Sequence, residues 1–329
     1  AVFSDPAKRC VVLAVRGTLS ISDAITDVIA DPREVTDPDI TGPGPGPHYV
    51  HSGMWEAAEN ICRDIAGIKV LPKLLGCAED ASLGDGVAAA ASAQLDRDDL
   101  PDCSGYGLMV VGHSLGAGTA QLLCAQLSKT YPDVRCIAYA APHVCSESLA
   151  RHLGRRNVPV VLGDDAVPRL SVRNAELLRD WMTVLTAHCP LPKWRVLWAG
   201  LRRDWGMLGS SSRMFTGEPI SQEAQECIAK VAANKPSPRF FHAGRVCYLR
   251  VTETRRSCCG VLSADASYAP EWACSEDLME VVVSRRMFIQ HMPHHYRKAL
   301  ETVLDTWQSG GPQGAQGAVG QGSPPGAPG

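Results

Sequence analysis

The sequence predicts an α/β protein built on a mostly parallel sheet with helices on both faces. Two observations carry this. Short runs of unbroken apolar and β-branched residues recur along the chain, and each reads as a strand buried on both sides. Between them lie stretches whose apolar residues return at helical spacing, so strand and helix alternate. The 329 residues, 45% hydrophobic and 20% charged, suffice for one large core or two modest ones and exclude a globally disordered chain.

The first predicted strand is 10–15, ended by Arg16-Gly17-Thr18. A helical stripe follows, formed by Ile21, Ala24, Ile25, Val28 and Ile29. Alternating Gly and Pro over 42–47 can sustain neither helix nor ladder, so that segment is a loop. Helical patterns run through 54–75 and, more faintly, 87–95. A second buried strand, 107–112, enters a sharp turn and then the apolar helix 117–127. Strands are also predicted at 136–140 and 158–162, with a helical stretch between them. From 171 to 240 the strand rhythm gives way to a helical, Trp-rich insertion, polar around 209–213. Strand patterning resumes at 246–251 and 278–283, and a last helix is expected from His294 to Trp307. The single predicted domain spans 1–308. Residues 309–329 are uncharged and rich in Gly and Pro, so they are expected to form a disordered tail.

Charge and cysteines exclude several classes. Lys and Arg number 32 against 35 Asp and Glu, a net charge of −3, so no nucleic-acid partner is expected. The 13 cysteines are scattered, without the C-x-x-C pairs of a zinc ribbon, and point to a reducing interior. The opening AVFSDPAKRC lacks the charged-then-apolar pattern of a signal peptide. No apolar run approaches the roughly 18 residues of a spanning helix.

The sharpest motif is Gly112-His113-Ser114-Leu115-Gly116, a G-x-S-x-G between a buried strand and an apolar helix. Its glycines let the chain turn tightly and expose the Ser114 hydroxyl at the carboxyl edge of the sheet. The amino end of the new helix then aims free N–H groups at whatever sits above the serine. Such a serine needs an acid and a base, expected in the order Ser, Asp, His. Asp164 and Asp165 both follow the strand 158–162 and compete for the acid. His113 sits inside the turn and cannot reach its neighbour's hydroxyl. Beyond the acid stand His188, His242, His291, His294 and His295; of these, His291 lies in the loop position before the last helix.

Together these residues resemble a known family. Arg16-Gly17-Thr18, His51-Ser52-Gly53, Gly112–Gly116 and Asp165-Ala-Val-Pro-Arg-Leu170 stand in the order seen in class 3 lipases. The chain is similar in particular to the catalytic domain of sn-1-specific diacylglycerol lipases, through 186–195 and Met287-Phe-Ile-Gln-His291-Met-Pro293. The resemblance implies an α/β-hydrolase core, with Ser114 as nucleophile, Asp165 rather than Asp164 as acid, and His291 as base. It implies an oxyanion hole from Thr18 and the backbone N–H of Leu115, each such donor contributing about 3 kcal/mol in comparable hydrolases. The implied reaction is hydrolysis of a diacylglycerol ester, at sn-1, to monoacylglycerol and a fatty acid through an acyl-enzyme. A phospholipase A1 or lipase acting on other glycerolipids is the nearest alternative, and a catalytically dead membrane-associated scaffold is the alternative of another class.

The resemblance also implies a lipid substrate at the cytoplasmic face of a membrane. Full-length relatives carry four membrane helices ahead of the matching region. Calcium stimulation is described for them, yet no calcium loop reads out of this sequence and a triad needs no cofactor or metal. Trp194, Trp198, Leu201 and Trp205 align at helical spacing among Lys193, Arg195, Arg202 and Arg203. That pattern fits either a headgroup-binding cap within 171–240 or a face packed on the core. The helix over 21–29 is a second lid candidate. Cys258-Cys259 beside Arg255-Arg256 reads either as a palmitoylation site or as ordinary thiols.

Overall fold

The computed structural model describes residues 1–17, 31–44, 46–76, 100–188, 221–233, 238–256, 262–282, 284 and 286–309. In chain order the strands are β1 (Val2–Asp5), β2 (Cys10–Val15), β3 (Pro32–Glu34), β4 (Tyr49–His51), β5 (Gly107–His113), β6 (Arg135–Tyr139), β7 (Asn157–Leu162), β8 (Val246–Arg256) and β9 (Leu262–Ala273). The helices are α1 (Pro38–Thr41), α2 (Ser52–Ile68), α3 (Val70–Leu75), α4 (Leu115–Leu127), α5 (Glu147–Leu153), α6 (Val172–Ala187), α7 (Gln222–Ala233) and α8 (Pro293–Gln308).

The main sheet has the order β1-β2-β5-β6-β7-β8-β9. Its centre, β2 through β8, is parallel, and each edge is closed by an antiparallel strand. On one face α4 lies over β2, β5 and β6, with α2 packed outside it. Apart from Leu115 and Gln126, every residue of α4 is buried, which is why it is apolar all round rather than amphipathic. On the other face Tyr296 and Ala299 of α8 pack with Val160, Leu162 and Leu249. The predicted mostly parallel, two-faced sheet is therefore the observed one.

Three local differences have physical reasons. The helix expected over 54–75 is two helices, because Lys69 takes a left-handed conformation, φ 56°, between them. The strand expected at 278–283 does not form among the described residues. Ser275–Leu278 is a 3₁₀ turn, and the place beside β8 is taken by β9 instead. The sequence does not announce that strand, because it carries Pro270, which a sheet tolerates at an edge, where a missing N–H breaks no ladder. The predicted elements at 21–29 and 87–95, the Trp pattern at 194–205, Cys258-Cys259 and the tail beyond 309 lie outside the described residues.

Candidate active site

Three glycines set the first part of the site. A Cβ on Gly112 would meet the Gly116 carbonyl oxygen at 2.3 Å, and one on Gly17 would meet the His113 carbonyl oxygen at the same distance. The end of β2, the end of β5 and the start of α4 therefore touch through bare backbone. Ser114 joins β5 to α4 at φ 58°, ψ −131°, a region L-residues occupy at a cost of about 1–3 kcal/mol. Its N–H still donates to the Tyr139 carbonyl (2.9 Å), which ties the strained residue to β6.

The acid comes from the turn after β7 and the base from the turn before α8. His291 Nε2 lies 2.9 Å from Ser114 Oγ, and its Nδ1 lies 3.1 Å from each Asp165 carboxylate oxygen. All three side chains are buried: Ser114 is 1% exposed, Asp165 0% and His291 3%. A buried carboxylate needs donors on both oxygens. Here the Val167 N–H donates to Oδ1 at 3.0 Å and the Tyr296 hydroxyl to Oδ2 at 2.7 Å. Tyr296 in turn accepts the Leu162 N–H at 3.1 Å. Burial and the neighbouring carboxylate push its phenol well above the usual range, so it remains a donor.

Asp164 points elsewhere. Its carboxylate faces Arg286 at 3.5 Å, while its N–H donates to Gln290 Oε1 at 2.7 Å. Gln290, next to the base, thereby pins the acid turn, and the Ala166 N–H donates to the Met287 carbonyl (3.3 Å) to hold the two turns together. The geometry thus joins Ser114, Asp165 and His291. It does not bring the other histidines to the serine. His188 caps α6 through the Val184 carbonyl, and His294 and His295 stack on each other at 4.3 Å within α8. Leu115 opens α4, so its N–H has no acceptor within the helix. Thr18 lies outside the described residues, directly after Gly17, whose backbone touches the serine turn. The sequence assigns no role to Tyr296, Gln290 or His113, and considers His113 only to set it aside as the base. Their partners are 131, 126 and 178 positions away, and no local pattern encodes that.

His242 is buried against His143, ring centroids 4.4 Å apart, beside the carboxyl-terminal end of the acid turn. His143 Nδ1 lies 3.3 Å from the Leu170 carbonyl. Burial pushes His143 down to about 4. His242 is pushed well below the usual histidine value by burial, then by the His143 ring and Arg169. Both rings therefore stay neutral when folded but take up protons near pH 6.5 when unfolded. The unfolded state binds more protons below that pH, so folding stability is full above about 6.5 and falls as pH drops toward 4. Each ring contributes a slope of up to about 1.4 kcal/mol per pH unit. Thermal melting between pH 7 and 4.5 should show a steep fall that a His143→Gln, His242→Gln double variant flattens; an unchanged slope would refute it.

Among the described residues no group of three or more His, Cys, Asp or Glu is placed to hold a metal ion, and no helix is long and apolar enough to cross a membrane. A serine on a strand–helix turn, with acid and base following in chain order at the carboxyl edge, is the arrangement of the α/β-hydrolase fold.

Known proteins are similar to this chain in sequence. Mouse diacylglycerol lipase-beta is 29% identical over 328 residues, covering 92% of this chain and 44% of its own length. Human diacylglycerol lipase-alpha is 28% identical over 314 residues, covering 94% of this chain and 27% of its own length. The chain thus spans less than half of either relative. A secreted mono- and diacylglycerol lipase A from Penicillium camembertii is 41% identical over 68 residues, 20% of this chain and 22% of its own. The model of the family Lipase (class 3) matches residues 12–175, from β2 through the serine turn and the acid turn into α6. On that match, joined to the similarity over nine-tenths of the chain, residues 12–175 form a class 3 lipase domain.

Proposed function

We propose that this domain is a serine lipase that hydrolyses an acyl ester of diacylglycerol, at sn-1, releasing a fatty acid and monoacylglycerol. The observation that carries this is the unbroken hydrogen-bonded line from Ser114 Oγ through His291 to Asp165. Similarity to diacylglycerol lipases over nine-tenths of the chain supports the substrate class.

In this reading His291 Nε2 takes the Ser114 proton as Oγ attacks the ester carbonyl. The oxyanion is met by the Leu115 N–H and by Thr18. His291 then protonates the departing glycerol oxygen, leaving an acyl group on Ser114. Water, deprotonated by the same histidine, releases the fatty acid and restores the hydroxyl. Asp165 holds the imidazole tautomer and stabilises the imidazolium in both halves. Each proton has a side chain to carry it, so the cycle we propose calls on no cofactor, and no residue is assigned to calcium.

The insertion 171–240 is read as a cap, because it leaves the sheet directly after the acid turn and its described helices α6 and α7 pack on each other. Long insertions beside an active site commonly serve as lids. The site is proposed to take lipid from the cytoplasmic face of a membrane. The test is product analysis from vesicles holding regiospecifically labelled diacylglycerol, triacylglycerol and phosphatidylcholine. Loss of the sn-1 chain from diacylglycerol, at least tenfold faster than from the other two, is expected. Preferential hydrolysis of phosphatidylcholine would turn the assignment to a phospholipase A1. No turnover, with no labelling of Ser114 by a fluorophosphonate, would make the chain a scaffold.

A further inference from the structure

His113, the residue before the nucleophile in the Gly112–Gly116 turn, touches the base and has no part in the steps above. Its Nε2 lies 2.8 Å from the backbone carbonyl of His291. A carbonyl only accepts, so Nε2 carries the proton and the hydrogen bond runs from His113 to His291. The same ring lies 4.9 Å from the His291 ring, tilted by 43°. It also meets the Tyr296 ring edge-on at 5.8 Å. One side chain therefore contacts the backbone of the base, the ring of the base and the tyrosine that donates to the acid.

We propose that His113 is a positioning residue for the base, fixing the His291 turn to the serine turn so that Nε2 stays on Ser114 Oγ. The need is physical. Ser114 belongs to the rigid β5–α4 junction, whereas His291 stands in a turn outside the sheet. Rate depends steeply on the distance between nucleophile and base, and a hydrogen bond from the side chain beside the nucleophile to the backbone of the base limits how far the two can drift apart. The tie is built from the residue beside the nucleophile, so any shift of the serine turn carries the base with it. Burial, then the nearby His291 ring, pushes His113 down to about 4, so at neutral pH it is an uncharged donor. An uncharged ring also leaves the His291 imidazolium of the transition state without a like charge beside it.

The proposal rests on His291 being the base, and the experiment separates the two ideas. Fluorophosphonate reacts with Ser114 only when the serine is activated, so wild-type reactivity reports the triad itself. His113→Phe keeps a ring of similar size and removes the donor. His113→Gln returns an N–H close to the position of Nε2. With a water-soluble ester, His113→Phe should lower kcat by about tenfold, the worth of one well-made hydrogen bond, with KM unchanged. Phosphonylation of Ser114 should slow by the same factor. His113→Gln should recover most of both, with melting temperatures of the two variants alike. Wild-type reactivity with equal rates in both variants would overturn the role of His113 and leave the triad standing. Equal losses in both variants that track a lowered melting temperature would make His113 a packing residue and also overturn it. An unreactive wild type would overturn the triad reading itself, and the positioning role with it.

Discussion

Ser114→Ala should leave a folded protein with ester hydrolysis lowered by about 10⁴–10⁶ in kcat. The substitution removes Oγ, the atom 2.9 Å from His291 Nε2, and leaves the rest of the turn intact. Stability should change little. Alanine takes the same backbone strain that serine already bears at φ 58°, and the Ser114 N–H to Tyr139 bond is untouched. One lost side-chain hydrogen bond amounts to about 1 kcal/mol. The size of the rate loss follows from the chemistry, since without Oγ no acyl-enzyme forms and only oxyanion donors and binding remain to help water attack. A soluble ester, followed beside thermal melting, reads both quantities. Residual activity above about one per cent in a folded variant, far more than such a loss allows, would place the nucleophile elsewhere.

The nucleophile could be read from sequence because its demands are local. Gly112 and Gly116 are dictated by backbone contacts at the turn, and the apolar runs on either side announce strand and helix. The base was readable more weakly, from its place in a loop before the last helix, and the resemblance, through the Met-Pro that follows, points to His291. The acid was not readable from spacing at all, since Asp164 and Asp165 share a turn and a charge. Resemblance chose Asp165, and the reason appears only in three dimensions, where Arg286 and Gln290 hold Asp164 outward. Tyr296 lies in the last helix with nothing in the sequence to mark it, and its ring is buried in one cluster with Ala140 and Leu162. Its hydroxyl finds Asp165 only once β7 and α8 are stacked. In the sheet, the run at 278–283 reads as a strand by pattern, yet β9 holds that edge. A hairpin partner only a turn away in sequence closes a much shorter loop than one beyond residue 278.

Asp165→Asn should lower kcat by about 10⁴, while Asp164→Asn stays within a few-fold of wild type. The two carboxylates are neighbours, so the contrast isolates geometry from charge. At Asp165 both oxygens are committed: Oδ1 accepts from Val167 N–H and Oδ2 from the Tyr296 hydroxyl, with His291 Nδ1 at 3.1 Å from each. An asparagine that turns its NH₂ toward Val167 sets two donors against each other. Turned toward Tyr296, it is tolerated by the hydroxyl oxygen but still leaves one neutral oxygen for the imidazole. Either way the imidazolium loses its counter-charge, and an amide N–H facing Nδ1 favours the tautomer whose Nε2 carries the proton and cannot accept one from Ser114. At Asp164 the pair with Arg286 is partly exposed and contributes about 0–1 kcal/mol to folding, with no atom near the serine. Kinetics on a soluble ester, with melting curves to confirm folding, compare the variants. Large, equal losses from both would leave the acid unassigned and remove the argument that the Arg286 and Gln290 contacts select Asp165.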